Sequence, residues 1–136
     1  MKKIINLLSL VTILFCSCDS QINENKIIGN WKVIEFDTNT PTLSSGMIEA
    51  AKIEALSTQY SFEKDKSFSM KSKFISDGKN GNYKYVSKKK TFQMTYSSDG
   101  VKTLQEYRIE SLSDDLMKWT QEMGNLGSIS MTLKKE

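Results

Sequence analysis

Short runs of alternating apolar and polar residues recur along most of this 136-residue chain. In one run Phe92, Met94 and Tyr96 alternate with polar residues, and the turn-forming residues 97–100 follow. A period of two places alternate side chains on one face of a strand. Comparable runs begin near residues 27, 60, 68, 83, 107, 116 and 129. The pattern predicts a mainly β fold of about eight strands joined by short turns, which is typical of an antiparallel up-and-down barrel.

Residues 42–57 interrupt this alternation and are rich in alanine, glutamate and lysine. Met47 and Ala51 recur at helical spacing, and Ser44 or Ser45 is placed to cap the first turn. The segment predicts a helix of about three turns, inserted between the first two strands. In a barrel, such a helix lies across one mouth. It acts either as a lid over a pocket or simply as a cover for the open end of the core.

Residues 77–81, Asp-Gly-Lys-Asn-Gly, predict a turn because glycine and asparagine tolerate positive φ. The strand before this turn is expected to run from Phe68 to Phe74, with Met70 on the same face as both. The strand after the turn is expected to carry Tyr83.

The first eighteen residues have a different pattern. Lys2 and Lys3 precede an apolar run at 4–15 that is too short to span a bilayer, and Cys16 and Cys18 follow. This predicts a secretory signal peptide over residues 1–17. Residues 15–18, Phe-Cys-Ser-Cys, resemble a bacterial lipobox, which implies lipidation of Cys18 and a membrane anchor. The alternative is an ordinary secreted protein whose leader contains two cysteines.

The resulting division has three parts. Residues 1–17 are the lipoprotein signal peptide, residues 18–26 are the lipidated Cys18 with a polar tether, and residues 27–136 are the barrel domain. Acyl chains contribute about 0.8 kcal/mol of membrane affinity per buried CH₂, so two or three chains anchor a protein firmly.

Composition narrows the chemistry. The chain contains no histidine, and its two cysteines are both assigned to the leader or the anchor. Histidine-assisted hydrolysis, Cys–His pairs and the common zinc and copper ligand sets are therefore unavailable. No glycine-rich phosphate loop is present. We predict a non-catalytic monomer without a cofactor or a metal.

The formal net charge of +3 includes Lys2 and Lys3 of the leader, so it argues weakly for nucleic acid. Lys84 and residues 88–90 form the main basic stretch of the mature chain. This stretch either contacts anionic lipid headgroups or polysaccharide, or is a solvated corner. It lacks the interleaved aromatics of a nucleic-acid site.

The candidate ligand-binding residues are the aromatic and methionine side chains at inward positions of the predicted strands. They are Trp31, Phe62, Phe68, Met70, Tyr83, Tyr85, Phe92, Tyr96, Tyr107 and Trp119. Tyr60, Phe74 and Ile129 are also expected to face inward. Such an interior suits a pocket for a small apolar or amphipathic ligand, with hydroxyl groups to orient it. It suits a completely packed core equally well.

The sequence leaves open whether two glutamates face the interior or the outside of the barrel. Glu35 shares parity with Trp31 and Val33, and Glu106 shares parity with Arg108. If either faced inward, it would be a polar anchor in an apolar pocket, because an unpaired buried charge is costly. Otherwise these residues lie on the outer face or beyond a bulge.

Gly29-Asn30-Trp31 resembles the Gly-x-Trp motif that opens lipocalin-like barrels. Residues 28–33, 60–68, 81–85 and 107–116 resemble phrases of the small lipocalin-like lipoproteins of the Bacteroidetes envelope. The resemblance implies an eight-stranded barrel in which Trp31 closes one end. It also implies an envelope protein anchored in the outer membrane, on its periplasmic or surface face.

One departure from the lipocalin pattern concerns the last strand. An arginine often stacks on the motif tryptophan there, whereas this chain offers only Lys134 and Lys135. The expected function is binding of a small apolar or amphipathic ligand. The alternative is a filled barrel that serves as a structural or protein-interaction module.

Overall fold

Eight antiparallel strands form a closed barrel in the computed structural model, which describes residues 21–136. The strands are β1 (Gly29–Asn39), β2 (Gln59–Phe62), β3 (Ser67–Ser72), β4 (Ile75–Val86), β5 (Thr91–Ser98), β6 (Val101–Leu112), β7 (Leu116–Glu122) and β8 (Ser128–Lys135). Each strand pairs with the next in the chain, and β8 closes onto β1. The predicted leader at 1–17 and the predicted lipidation site Cys18 lie outside the described residues.

The predicted architecture is confirmed: a closed up-and-down barrel with a single helix between its first two strands. The helix, α1 (Ser45–Leu56), begins after Ser44, whose hydroxyl accepts a hydrogen bond from the Met47 amide at 3.3 Å. This is an ordinary N-cap. None of the helices in the part of the chain that the structure describes is long and apolar enough to cross a membrane.

The two ends of the barrel differ. At one end a short 3₁₀ helix, Glu24–Ile27, precedes β1 and packs Ile27 into the core. We call this the closed end. At the opposite end β1 leads into α1, which returns the chain to β2, and we call this the open end. Because all neighbouring strands are antiparallel, the β4–β5 and β6–β7 connections lie at the closed end together with the 3₁₀ helix.

The predicted turn at 77–81 is wrong, since β4 passes straight through these residues. Gly78 adopts a φ of +66° within the strand. A Cβ on Gly81 would lie 2.0 Å from the Thr95 carbonyl oxygen, so glycine is needed where β4 approaches β5 closely. The two glycines therefore serve the curvature of the sheet instead of a reversal of the chain.

The prediction that Phe74 faces inward is also wrong. The chain reverses at Lys73 and Phe74, between β3 and β4, and Phe74 is 62% exposed. The connection is only two residues long, so the alternation of β3 ends before Phe74 is reached.

A bulge decides the position of Glu35. The register of β1 against β8 shifts between Val33 and Glu35, which places the Glu35 side chain outside the barrel. There its carboxylate accepts a hydrogen bond from the Thr132 hydroxyl at 2.9 Å. Glu106 is also exposed and accepts a hydrogen bond from the Gln93 amide at 2.6 Å. Neither glutamate faces the interior.

Candidate functional site

Aromatic rings fill the closed half of the barrel. Phe62 is at the centre of this packing, with ring centroids 5.2 Å from those of both Tyr83 and Phe92. Trp119 lies next to Phe92 at 5.7 Å and next to Tyr107 at 4.5 Å, nearly parallel to each. Phe62, Phe92 and Trp119 are at most 1% exposed. Edge-to-face and offset contacts of this kind are typical of a closely packed core.

The closed end is fastened by a contact that the sequence did not reveal. The Trp31 indole N–H donates to the Ile27 carbonyl oxygen at 2.7 Å. The Lys135 ammonium lies 4.9 Å from the centroid of the Trp31 ring and donates to the carbonyl oxygens of Lys26 and Ile28 at 2.9 and 2.8 Å. Lys135 thus occupies the place beside Trp31 where an arginine was expected from the resemblance.

The open half contains a cavity of about 230 Å³ beneath α1. Its apolar wall consists of residues contributed by separate strands and by the helix: Phe36, Ala51, Ala55, Tyr60, Met70, Ile75, Tyr107, Ile129 and Met131. Its polar wall consists of Glu54, Thr58, Lys79, Gln105 and Gln121. An apolar cavity of about 150 Å³ holds one benzene molecule. This space therefore accommodates a guest somewhat larger than a single aromatic ring.

Two buried tyrosines, Tyr60 and Tyr107, line this cavity. Burial raises the pKa of Tyr60 well above its ordinary value, and the neighbouring Tyr107 adds to the rise. Burial also raises the pKa of Tyr107, whose hydroxyl donates to the Gln105 side-chain oxygen at 3.3 Å. Both groups are therefore neutral at physiological pH, and their oxygens can accept hydrogen bonds.

Lys79 brings a positive charge to the cavity wall. Since β4 continues through residues 77–81, Lys79 shares the inward face of that strand with Tyr83 and Tyr85. Its ammonium nitrogen lies 4.8 Å from the centroid of the Tyr96 ring, which is a cation–π contact. Glu54 of α1 also lines the cavity, so both signs of charge border the mouth.

Helix α1 covers the mouth with small side chains. Ala51 and Ala55 face the cavity, whereas Ala50 is exposed on the other side of the helix. No residue of α1 is fully buried, and Met47 and Ile53 remain largely exposed. The apolar contacts of α1 with the core come from the partly buried residues Ala55 and Leu56, so the helix is held by few such contacts.

The sequence-predicted site residues separate into two groups. Met70 and Tyr107 line the open-end cavity. The others are buried in the barrel interior but do not line that cavity: Trp31, Phe62, Phe68, Tyr83, Tyr85, Phe92, Tyr96 and Trp119. Three polar residues of the cavity wall, Lys79, Gln105 and Gln121, are not among the residues that the sequence predicts for the site. Lys79 was assigned to a turn, and isolated glutamines carry no pattern.

A second, larger recess of about 590 Å³ lies on the outer surface between α1, β2 and β3. Lys32, Lys71 and Lys73 line it, together with Ile53 and Leu56. Both recesses are open to solvent, but this one lies outside the barrel. The cavity beneath α1 is instead lined by buried residues of the barrel interior, including Tyr60, Tyr107 and Met131. The interior cavity is therefore the better candidate site.

No protein-family model matches the chain, and a search of curated proteins gives no match. Across residues 21–136, no group of three or more acidic, histidine or cysteine side chains is placed to hold a metal ion. The candidate site is consequently defined by its own geometry: a largely apolar cavity with three hydroxyl groups, two amides, a lysine and a glutamate at its wall.

Proposed function

We propose that this protein is a lipid-anchored, lipocalin-like envelope protein that binds one small amphipathic molecule in the open-end cavity and catalyses no reaction. The observation that carries the proposal is the 230 Å³ cavity, whose mainly apolar lining includes the buried tyrosines Tyr60 and Tyr107. A ligand pocket characteristically combines an apolar lining with a few polar groups that fix orientation. The apolar body of the guest would contact Met70 and Met131, and its polar end would face Lys79.

The binding test uses the methionine methyl groups as reporters. Met70 and Met131 line the cavity, whereas Met117 is completely buried at the closed end and does not line it. The mature chain, labelled with ¹³C at the methionine methyls, is titrated with octanoate and separately with octanol. We expect saturable shifts at Met70 and Met131 with Met117 unchanged. Equal shifts at all three, or none up to the solubility limit of the probes, would refute the cavity as a binding site.

A matched pair of alanine variants localises the binding. Ala51→Leu places a larger side chain in the cavity, whereas Ala50→Leu adds the same atoms on the exposed side of α1. The added volume competes directly with the guest in a cavity of this size. We expect Ala51→Leu to weaken binding of the probe at least about tenfold, a loss of roughly 1.4 kcal/mol. Ala50→Leu is expected to leave it unchanged, and similar losses in both variants would contradict the proposed location.

The anchor is tested separately from the cavity. Lipidation of Cys18 would tie the domain to the membrane, and the leader supplies a matched control in Cys16. When the chain is expressed in a bacterial host, the mass of the mature protein should correspond to a chain that begins at residue 18 and carries acyl groups. Cys18→Ser should abolish both the acylation and the membrane fractionation, and Cys16→Ser should preserve them. An unacylated mature chain would refute the anchor while leaving the cavity proposal intact.

A protein-interaction module is the second candidate function. It is favoured by the packed closed half and by three large apolar side chains that the open half exposes, Phe74, Val101 and Leu104. In that case the outer surface would carry the function and the cavity would be incidental. The methionine titration discriminates the two candidates, because a filled or incidental cavity gives no saturable shift.

A further inference from the structure

We propose that the closed end of the barrel faces the membrane and rests on anionic lipid headgroups, so that the cavity mouth points away from the bilayer. This inference rests on the lipid anchor of the proposed function. It concerns a different surface from the ligand cavity.

The anchor segment meets the barrel at the closed end. Gln21, Ile22 and Asn23 line a surface recess at the closed end, together with Lys26 and Lys90. Cys18 precedes Gln21 by only three residues. A fully extended chain of that length spans about 11 Å. Acyl chains on Cys18 would therefore hold the closed end close to the headgroups, whatever path these residues take.

The closed end also carries a cluster of positive charge in one of its connections. The β4–β5 connection contains the 3₁₀ helix Ser87–Lys89 followed by Lys90, and it places three consecutive lysines there. Lys88 and Lys89 are exposed, and neither forms an ion pair with another residue of the described part of the chain. Each lysine near an anionic leaflet contributes about 1 kcal/mol of attraction.

Two acidic residues of the closed end are already neutralised. Asp114, in the β6–β7 connection, lies 3.0 Å from the Lys26 ammonium. Glu24, in the 3₁₀ helix before β1, pairs with Lys66. These ion pairs reduce the repulsion that two of the carboxylates would otherwise experience near an anionic surface. Glu63, Asp65 and Asp115 also lie in closed-end connections, so the excess positive charge is concentrated in the β4–β5 connection with Lys88 and Lys89.

The consequence is a defined orientation. Strand β4 has 12 residues, and at about 3.3 Å per residue and a tilt near 40° the barrel wall is roughly 30 Å high. The cavity mouth and α1 would then be about that distance from the headgroups. Ligands would enter from the aqueous side instead of directly from the bilayer that holds the anchor.

The experiment measures the distance of each end from the headgroups. Ser87→Cys and Asn125→Cys place a fluorophore in exposed 3₁₀ turns at the closed and open ends, respectively. The acylated chain is reconstituted into vesicles of phosphatidylcholine, with or without phosphatidylglycerol, that carry a headgroup quencher. We expect strong quenching at position 87 and weak quenching at position 125 in the anionic vesicles. Equal quenching at both positions, or stronger quenching at 125, would overturn the proposal.

Charge reversal tests the role of the lysines. The double variant Lys88→Glu with Lys89→Glu should lower the ratio of quenching between the two ends by at least about fivefold in anionic vesicles, since the loss of a single lysine already corresponds to that factor. Lys71→Glu with Lys73→Glu makes the same charge change at exposed positions near the open end and should preserve the ratio. If both pairs act alike, the orientation does not depend on the basic corner and the proposal is wrong.

The mass of the reconstituted chain distinguishes a failure of the lipid anchor from a failure of the proposed orientation. A chain without acyl groups would refute the anchor and, with it, this orientation. An acylated chain that shows no difference between its ends would refute the orientation alone.

Discussion

The closed and open halves of this barrel are built from the same eight strands but reach different outcomes. In the closed half, Phe62, Phe92 and Trp119 interlock, and Lys135 fastens Trp31 to the chain that enters β1. In the open half, flexible and polar side chains surround a 230 Å³ cavity under a helix that buries no residue completely. The difference indicates that stability is concentrated at one end of the barrel.

The largest expected effect comes from breaking the aromatic packing. Phe62→Ala should lower the free energy of unfolding by about 3–5 kcal/mol, because it removes the ring that contacts Tyr83, Phe92 and Trp119. Met131→Ala, beside the existing cavity, should cost about 2 kcal/mol, the low end for methionine. Urea denaturation of both variants measures the difference. Equal losses would mean that the two halves are equally important for stability.

A smaller effect is expected from the fastening of the closed end. Lys135→Met removes the cation above Trp31 and leaves two carbonyl oxygens without their donor, at a cost of about 2 kcal/mol. The adjacent Lys134 is exposed, so Lys134→Met should change stability by less than about 0.5 kcal/mol. Thermal and urea unfolding of this pair provide the check. If Lys135→Met leaves the free energy of unfolding unchanged, the contacts of Lys135 with Trp31 and with the 3₁₀ helix are not needed to close the barrel.

The smallest effect at neutral pH concerns the open-half tyrosines. Burial raises the pKa of Tyr60 and of Tyr107 in the folded state, so folding retains protons that the unfolded chain releases above about pH 10. Stability is therefore fully present below pH 10 and declines as the pH rises toward the folded-state pKa. The slope is up to about 1.4 kcal/mol per pH unit for each tyrosine.

Denaturation curves between pH 9 and 11, about the ordinary tyrosine pKa, measure this slope. Tyr60→Phe and Tyr107→Phe should each make it shallower, since phenylalanine has no proton to release. A slope that is unchanged in both variants would show that neither hydroxyl group is as enclosed as its position in the open half indicates.

Much of the barrel could be predicted because alternation is a local property of a strand. Phe92, Met94 and Tyr96 repeat every two residues, and all three are buried in the structure. Helix α1 could be predicted equally well, because its capping serine and the spacing of its apolar residues are encoded within a few residues. These signals do not depend on what the strand or helix packs against.

The errors occurred where the packing of neighbouring strands overrode a local preference. Asp-Gly-Lys-Asn-Gly at 77–81 favours a turn in isolation, but pairing with β3 and β5 keeps it in a strand. That change of assignment is what brings Lys79 to the cavity wall. The β1 bulge acts in the same way, because it turns Glu35 outward and Phe36 toward the cavity.

The sequence by itself determined most of the strands, the inserted helix and most of the inward stripe of aromatic residues, since each depends on a period or a cap that nearby residues specify. Only the tertiary structure decided which part of that interior is packed and which part contains a cavity. Tyr60, Tyr107 and Met131 come from β2, β6 and β8, and they meet because the barrel closes. The space between them depends on strand register, on a bulge and on the length of a helix side chain, and these are properties of contacts between distant residues.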